Sequence, residues 1–227
     1  MNRLVGLVVI AAALALPSLP AANADDASNG AGAATVPLVW AHAHNDYQHK
    51  RPLLDALECG FCSVEADVFL VDGELIVGHS RSGLRPDRTL AALYLEPLRQ
   101  RARQNGGRLY ADVPTCLLFI DIKTEAESTY AVLHRLLERY ADLATRFDGD
   151  SMTTNAITVI VSGHCPRAVI AAQSPRYAAC DGLMPDLESG ASPTLVPVIS
   201  EPWTKFFQWR GNGPALPSDL KIGRAHV

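Results

Sequence analysis

Residues 62–70 read Cys-Ser-Val-Glu-Ala-Asp-Val-Phe-Leu, an alternating pattern that predicts a β-strand. Successive side chains of a strand point to opposite faces, so Glu65 and Asp67 share one face. Two carboxylates about 6–7 Å apart along a strand can hold a hard divalent cation such as Mg²⁺ or Ca²⁺. The alternative interpretation is the solvated face of an edge strand, which is the commoner fate of alternating acids.

A hairpin follows this strand. Asp72-Gly73 predicts a tight reversal, because both residues accept positive φ more readily than most, and residues 74–77 then return as a second strand. The return brings His79 to the end of the sheet where the two carboxylates lie. Two carboxylates and an imidazole are therefore expected around one hairpin.

A second βα unit adds a third acid. Residues 117–124 form an apolar run that ends in Asp121 and Lys123, as in parallel strands buried on both faces. Thr124 and Glu127 have the spacing of a capping box and predict a helix start. The helix has an apolar stripe at helical spacing, formed by Tyr130, Leu133, Leu137, Tyr140, Ala144 and Phe147. Its preceding strand ends in charged residues, where parallel α/β folds place their chemistry.

Histidines are concentrated just upstream, in the segment Ala-His-Ala-His-Asn-Asp-Tyr at residues 41–47. Histidine titrates nearest neutral pH and can both accept and donate a proton. Together with the predicted carboxylates, this segment indicates a metal-assisted acid/base site.

An ordered set of residues resembles a known superfamily. The set consists of His42 at the end of a first strand, Glu65-x-Asp67 on a second, His79 after the hairpin, and Asp121-x-Lys123 on a third. It resembles the phosphatidylinositol-specific phospholipase C and glycerophosphodiester phosphodiesterase superfamily. Within that superfamily, the histidine-rich segment is similar to the His-x-His-Asn-Asp-Tyr segment of the altered-inheritance-of-mitochondria branch. The similarity runs from about Val39 to at least Arg210.

The resemblance implies an α/β fold of the TIM-type (β/α) barrel class and a phosphodiesterase activity. It implies a divalent cation, Mg²⁺ or Ca²⁺, held by the metal ligands Glu65, Asp67 and Asp121. It also implies an acid/base pair formed by His79 with either His42 or His44, and substrate contacts from Asn45 and Lys123.

The choice between His42 and His44 stays open at this point. A His-x-x-Asn spacing like that of sphingomyelinase D-type enzymes favours His42, whereas an adjacent His-Asn pair like that of phospholipase C-type enzymes favours His44. The chain also departs from the glycerophosphodiesterase pattern, which has His-Arg-Gly at residues 42–44 and a glutamate in place of Asp121. The head group of the substrate therefore stays open as well.

Three functions follow from these residues. The first is an exported, metal-dependent phosphoric diester hydrolase that acts on a glycerophosphodiester or a phospholipid head group, with water or a substrate hydroxyl as the nucleophile. The second is a noncatalytic exported ligand-binding barrel. The third is a sphingomyelinase D-like phospholipid lyase that releases a cyclic phosphate.

Composition limits the possible partners. Of the 227 residues, 48% are hydrophobic and 19% charged, which is ordinary for a globular chain with a sizeable core. The formal net charge of −4 argues against nucleic acid, whose binders usually carry clustered basic surface. We expect a small-molecule or lipid phosphodiester as partner, with transient contact to a membrane surface.

The ends of the chain predict processing and an incomplete barrel. Residues 1–24 have the charge, apolar stretch and small-residue cleavage pattern of a signal peptide, so the chain should be exported to a periplasm or secreted. Residues 25–36 resemble a flexible leader, and residues 37–221 are expected to form a barrel truncated at its C-terminus, since a full barrel takes about 250 residues. Residues 222–227 match a translated sequencing adapter and are interpreted as an artefact.

Of the five cysteines, Cys165 and Cys180 are candidates for a disulfide.

Overall fold

The computed structural model describes residues 7–8, 35–209 and 214. Its strands are β1 (Leu7–Val8), β2 (Leu38–Ala43), β3 (Phe61–Val71), β4 (Glu74–Val77), β5 (Cys116–Ile122), β6 (Arg146–Asp148), β7 (Ser151–Thr153), β8 (Ile157–Gly163), β9 (Ala178–Gly182) and β10 (Val198–Ile199). Its α-helices are α1 (Leu54–Glu58), α2 (Glu96–Gln104), α3 (Ala126–Glu138), α4 (Arg167–Ala172) and α5 (Trp203–Phe206). Apart from residues 7–8 and 35–36, the predicted signal peptide and leader lie outside the described residues, as does the predicted artefact at 222–227.

One mostly parallel sheet organises the molecule. Its strands run in the order β1-β10-β9-β8-β5-β3-β2, with neighbours parallel, and β4 pairs antiparallel with β3. The hairpin of β6 and β7 forms a separate two-stranded sheet. The α/β class predicted from the sequence is therefore confirmed.

The prediction of a TIM-type barrel is wrong. In the part of the chain that the structure describes, the sheet is a curled half-barrel whose outer strands, β1 and β2, do not pair with each other. A TIM barrel alternates every strand with a helix, whereas here only a 3₁₀ turn, Met184–Leu187, lies between β9 and β10. The barrel was implied by the resemblance to a superfamily, and the residues that carry this resemblance do not distinguish a closed sheet from an open one, because both carry charged residues at the carboxyl ends of their strands.

Strand β3 lies inside the sheet, with β2 on one side and β5 on the other. Its carboxylates are buried, since Glu65 is 8% exposed and Asp67 only 1%. The interpretation of these acids as the solvated face of an edge strand is therefore wrong. Buried carboxylates are costly unless they are paired or hold a cation, which makes their surroundings informative.

The hairpin after β3 is confirmed. Asp72 and Gly73 adopt positive φ, 49° and 84°, and β4 returns antiparallel to the end of β3. The backbone N–H of Gly78 then donates to the Asp67 carbonyl at 3.2 Å. This contact holds the residue after Gly78, His79, beside Asp67.

Helix α3 packs on the face of the sheet opposite Glu65 and Asp67. Its buried Tyr130, Leu133 and Leu137 join the main hydrophobic core there. The helix begins one residue later than predicted, because Glu125 caps it by accepting from the backbone N–H groups of Glu127 and Ser128.

None of the helices in the described ranges is long and apolar enough to cross a membrane. All five cysteines are free thiols, so the disulfide considered for the last two is not formed.

Candidate active site

Three carboxylates meet where the middle of β3 pairs with the carboxyl end of β5. Asp67 of β3 stands in register with Asp121 of β5, and Glu65 lies one pleat earlier on the same face. One oxygen from each of the three lies within 4.8 Å of the others. The period of the strands and their parallel register produce this convergence, because residues in register on neighbouring strands point to the same face.

The carboxylates fit a hard divalent cation. Asp67 Oδ1 and Asp121 Oδ1 are buried and have no hydrogen-bond partner among the described residues. Burial, opposed by the Asn45 N–H and the neighbouring His44, raises the pKa of Glu65, and the charges of the two aspartates add to the rise. A cation would satisfy the unpaired oxygens and relieve this repulsion, since Mg²⁺ and Ca²⁺ prefer oxygen ligands.

Lys123 supplies a positive charge at the same place. Its Nζ lies 2.9 Å from Asp121 Oδ2 and 3.3 Å from Asp67 Oδ2. Burial acts to lower the pKa of Lys123, but the hydrogen bond to Asp121 and the charges of both aspartates outweigh it and raise the pKa. Lys123 is therefore a fixed cation beside the carboxylates.

A glycine makes room for Asp121. Gly163, at the end of β8, has a φ of 65°, and a Cβ at this position would lie 1.9 Å from Asp121 Oδ1 and 2.6 Å from the Ile122 carbonyl oxygen. Any side chain here would collide with the carboxylate. The placement of Asp121 therefore depends on the absence of a side chain on the neighbouring strand.

Two imidazoles flank the carboxylates at the surface. His44 Nε2 lies 3.3 Å from Glu65 Oε2, and His79 Nδ1 lies 3.5 Å from Asp67 Oδ2. The side chains of His44 and His79 are 62% and 66% exposed, so both can reach a ligand that enters from solvent.

His42 contacts different residues from those that His44 and His79 contact. Its Nδ1 lies 2.7 Å from Ser63 Oγ, and its ring packs edge-on against Phe119 at 5.1 Å between centroids. Burial, with a further effect from the neighbouring His44, lowers the pKa of His42 to about 4. The ring is therefore neutral near pH 7 and is engaged with the protein.

Asn45 is turned towards the protein. Its backbone N–H donates to Glu65 Oε2 at 3.0 Å, and its side-chain Oδ1 lies 2.8 Å from the Tyr47 hydroxyl oxygen. The residue adopts a left-handed backbone conformation with a φ of 53°, which asparagine tolerates better than most residues. Asn45 thus helps to fix one of the three carboxylates.

Sequence reasoning missed two residues at this site. Asp181, near the end of β9, accepts a hydrogen bond from Ser200 Oγ at 2.6 Å. Burial raises the pKa of Asp181 to about 6, because its effect, together with the charges of Glu65 and Asp121, is larger than the lowering caused by this hydrogen bond. An acid that ends a short apolar strand is a signal that could have identified it. Tyr47, whose hydroxyl reaches Asp67, has no comparable signal, because only the folded loop brings it there.

Comparisons with known proteins agree on one family. A family model described as "AIM6-like phosphodiesterase domain" matches residues 32–181. An "Altered inheritance of mitochondria protein 6 homolog" of Arthroderma benhamiae is 30% identical over 181 residues, covering 70% of this chain and 57% of the relative. An "Altered inheritance of mitochondria protein 6" is 35% identical in Eremothecium gossypii, covering 61% of this chain and 41% of the relative. Its counterpart in Lachancea thermotolerans is 39% identical, covering 55% and 34%.

The chain therefore spans between 34% and 57% of the length of these curated relatives. The search of solved structures found no match. The match to the family model runs from before β2 to Asp181 in β9, and it includes the three carboxylates, Lys123 and the histidines at 42, 44 and 79.

Proposed function

Because this chain belongs to the AIM6-like phosphodiesterase domain family, we propose that it is a metal-dependent phosphoric diester hydrolase acting on a glycerophosphodiester or a phospholipid head group. The observation that supports the proposal is the convergence of three carboxylates from neighbouring strands, two of them buried and Asp121 partly buried, with a lysine and two exposed imidazoles around them. Export to a periplasm or to the exterior stays a prediction from the N-terminal residues.

In this proposal Glu65, Asp67 and Asp121 hold Mg²⁺ or Ca²⁺. The bound ion would supply Lewis-acid stabilisation of the charge on the nonbridging phosphoryl oxygens. Lys123 would add a fixed positive charge near the same oxygens, because it already lies against two of the carboxylates. The buried carboxylate oxygens without partners are the protein's contribution to cation binding.

Proton transfer falls to His44 and His79 in this proposal. Both are exposed beside the carboxylates, so one imidazole can accept the proton of the nucleophile while the other donates to the leaving oxygen. His42 is the weaker candidate, since it is neutral and held by Ser63 and Phe119. We therefore assign His42 to the support of the site.

A substrate panel with matched variants tests the proposal. Glycerophosphodiesters, phosphoinositides and sphingomyelin are incubated with the chain and Mg²⁺ or Ca²⁺, with and without EDTA. We expect turnover of at least one substrate, loss of turnover with EDTA, and a decrease of more than about 100-fold for Asp67→Asn, which weakens cation binding. Cys59→Ser is the control, because Cys59 is exposed and outside the site.

Product analysis separates the alternatives. Phosphorus NMR distinguishes a free monoester, which indicates attack by water, from a cyclic phosphate, which indicates attack by a substrate hydroxyl and a lyase-type reaction. Binding of a panel member without turnover would support a noncatalytic binding protein instead. Turnover that is unchanged in both EDTA and Asp67→Asn would refute the metal assignment.

A further inference from the structure

The Tyr47 hydroxyl lies at the centre of a group of polar atoms. It is 2.7 Å from Asp67 Oδ2, 2.8 Å from Asn45 Oδ1 and 3.1 Å from His79 Nδ1. The residue is only 4% exposed. One buried hydroxyl thus touches a carboxylate of the predicted cation site and an imidazole of the proposed acid/base pair.

The single proton of the Tyr47 hydroxyl determines which of these three contacts it can donate to. A phenol carries one proton and therefore donates one hydrogen bond at a time. The carboxylate of Asp67 is the strongest acceptor within reach, because hydrogen bonds to an ionised group are the stronger ones. An ordinary phenol has a pKa of about 10, so the hydroxyl keeps its proton near neutral pH.

This arrangement leaves only lone pairs of the Tyr47 oxygen to face His79. For Nδ1 of His79 to form a hydrogen bond with that oxygen, Nδ1 must carry the hydrogen and act as the donor. In a neutral imidazole the other nitrogen, Nε2, then has no proton. Nε2 lies on the far edge of the ring from Tyr47, where it can accept a proton from a ligand.

The backbone at Tyr47 is held independently of the hydroxyl, and the ring belongs to the main hydrophobic core. The backbone carbonyl of Tyr47 accepts from Arg88 Nη2 at 2.6 Å. The preceding Asp46 is fully buried and accepts from the Leu53 N–H at 2.5 Å and the Tyr94 hydroxyl at 2.9 Å. Removal of the Tyr47 hydroxyl should therefore leave the ring in place.

We propose that Tyr47 is a positioning residue that fixes the tautomer and orientation of His79 while holding one oxygen of Asp67, which leaves the other oxygen for a cation. The mechanistic value of this role rests on the proposed function, because it matters only if His79 takes part in proton transfer. The tautomer itself is a property of the protein alone.

The test compares Tyr47→Phe with Tyr110→Phe. Tyr110 is a matched control, since it is also buried and its hydroxyl lies within hydrogen-bond distance of the carbonyls of Leu57 and Phe61. Long-range ¹H–¹⁵N NMR reports which ring nitrogen carries the hydrogen, at a pH about two units above the usual histidine pKa of about 6.5. Signals of His79 are assigned by comparison with His79→Asn.

We expect the wild-type protein and Tyr110→Phe to carry the hydrogen on His79 Nδ1, and Tyr47→Phe to shift His79 towards the Nε2–H tautomer. We also expect Tyr47→Phe to lower kcat by about 10- to 100-fold, as is typical when the hydrogen-bond partner of a functional ligand is removed, with a smaller change in KM.

The outcomes separate this inference from the proposed function. An Nε2–H tautomer in the wild-type protein overturns the inference without any variant, as does an unchanged tautomer in Tyr47→Phe. A wild-type protein without turnover on any phosphodiester, but with the Nδ1–H tautomer lost in Tyr47→Phe, instead refutes the proposed hydrolase and keeps the positioning contact.

Discussion

His42 lies against Ser63 and Phe119, and burial keeps its ring neutral near pH 7. Its pKa is lowered to about 4 in the folded state, compared with about 6.5 in an unfolded chain. Between these values the unfolded state binds more protons, so this residue makes folding less favourable as the pH falls through that window. The full effect is about 3 kcal/mol by pH 4.

We therefore predict a difference between wild type and His42→Asn in acid. Asparagine keeps a hydrogen-bonding group near Ser63 but does not titrate, so its contribution to stability should not change between pH 7 and pH 4. Urea unfolding at both values should show that the wild type loses about 3 kcal/mol more than the variant. His49→Asn, at an exposed histidine, should lose as much as the wild type. Equal losses in all three proteins would contradict the burial argument.

Single residues also show what sequence reasoning can find at a site. The faces of Glu65, Asp67 and Asp121 were predictable, because strand period and parallel register follow from local pattern. The contacts of Tyr47 and Asp181 depend on how loops and strands distant in sequence meet. The position of Asp181 at the end of a short apolar strand is a local signal, but the contacts that these two residues make are visible only in the three-dimensional structure.

At the scale of elements, Thr124 connects the strand that carries two carboxylates to helix α3. Its Oγ1 accepts from the Leu70 N–H at 2.9 Å and forms a hydrogen bond of 2.8 Å with Thr129 Oγ1 inside the helix. Thr124→Val keeps the shape but leaves the Leu70 N–H without this partner, which should lower the free energy of unfolding by about 1–3 kcal/mol.

Urea unfolding tests this link between elements. Thr153→Val is the control, because Thr153 is exposed on β7, and its effect should stay within about 0.5 kcal/mol. If both valine variants had the same stability, the hydrogen bond between β3 and the start of α3 would contribute nothing measurable.

The end of α3 shows where element prediction fails. The apolar stripe predicted a helix that reaches Phe147, but α3 ends at Glu138. The chain leaves the helix because Ala144 forms a bridge to Ile157 and the Thr145 N–H donates to the Ile157 carbonyl at 2.7 Å. Helical spacing persists beyond the helix because the later residues still face the core, so pattern alone could not locate its end.

At the scale of the whole molecule, the outer position of β2 has consequences for association. Within the described residues β2 pairs only with β3, and its first half exposes Leu38, Val39 and Trp40, the last of these 76% exposed. An exposed apolar edge strand is a template for pairing with another chain. We predict self-association that increases with protein concentration.

Trp40→Lys tests this prediction, because a lysine on an edge strand opposes edge-to-edge pairing. Light scattering across a concentration series should show less self-association for Trp40→Lys than for the wild type. Met152→Lys is the matched control, since Met152 is an exposed apolar residue on the separate hairpin. An equal decrease in both variants would indicate a general effect of charge and not an edge effect.

Sheet closure was the part of the fold that the sequence could not determine. Apolar runs predicted parallel strands, and β5 and β8 indeed pair along seven residues. Closure depends on whether the first and last strands meet, which is a property of the complete set of strands and their tilt. The local periodicity of the sequence does not indicate whether the first and last strands pair.

Apart from Asp181, the candidate site is built from a continuous part of the chain, since the three converging carboxylates, the lysine, the flanking histidines and Tyr47 all lie between His42 and Lys123. During synthesis these residues leave the ribosome as one block, before β8, β9 and β10. With the cation of the proposed function, the nascent chain would bind the ion early, and the ion would then link β3 to β5 while the remaining strands are still being translated.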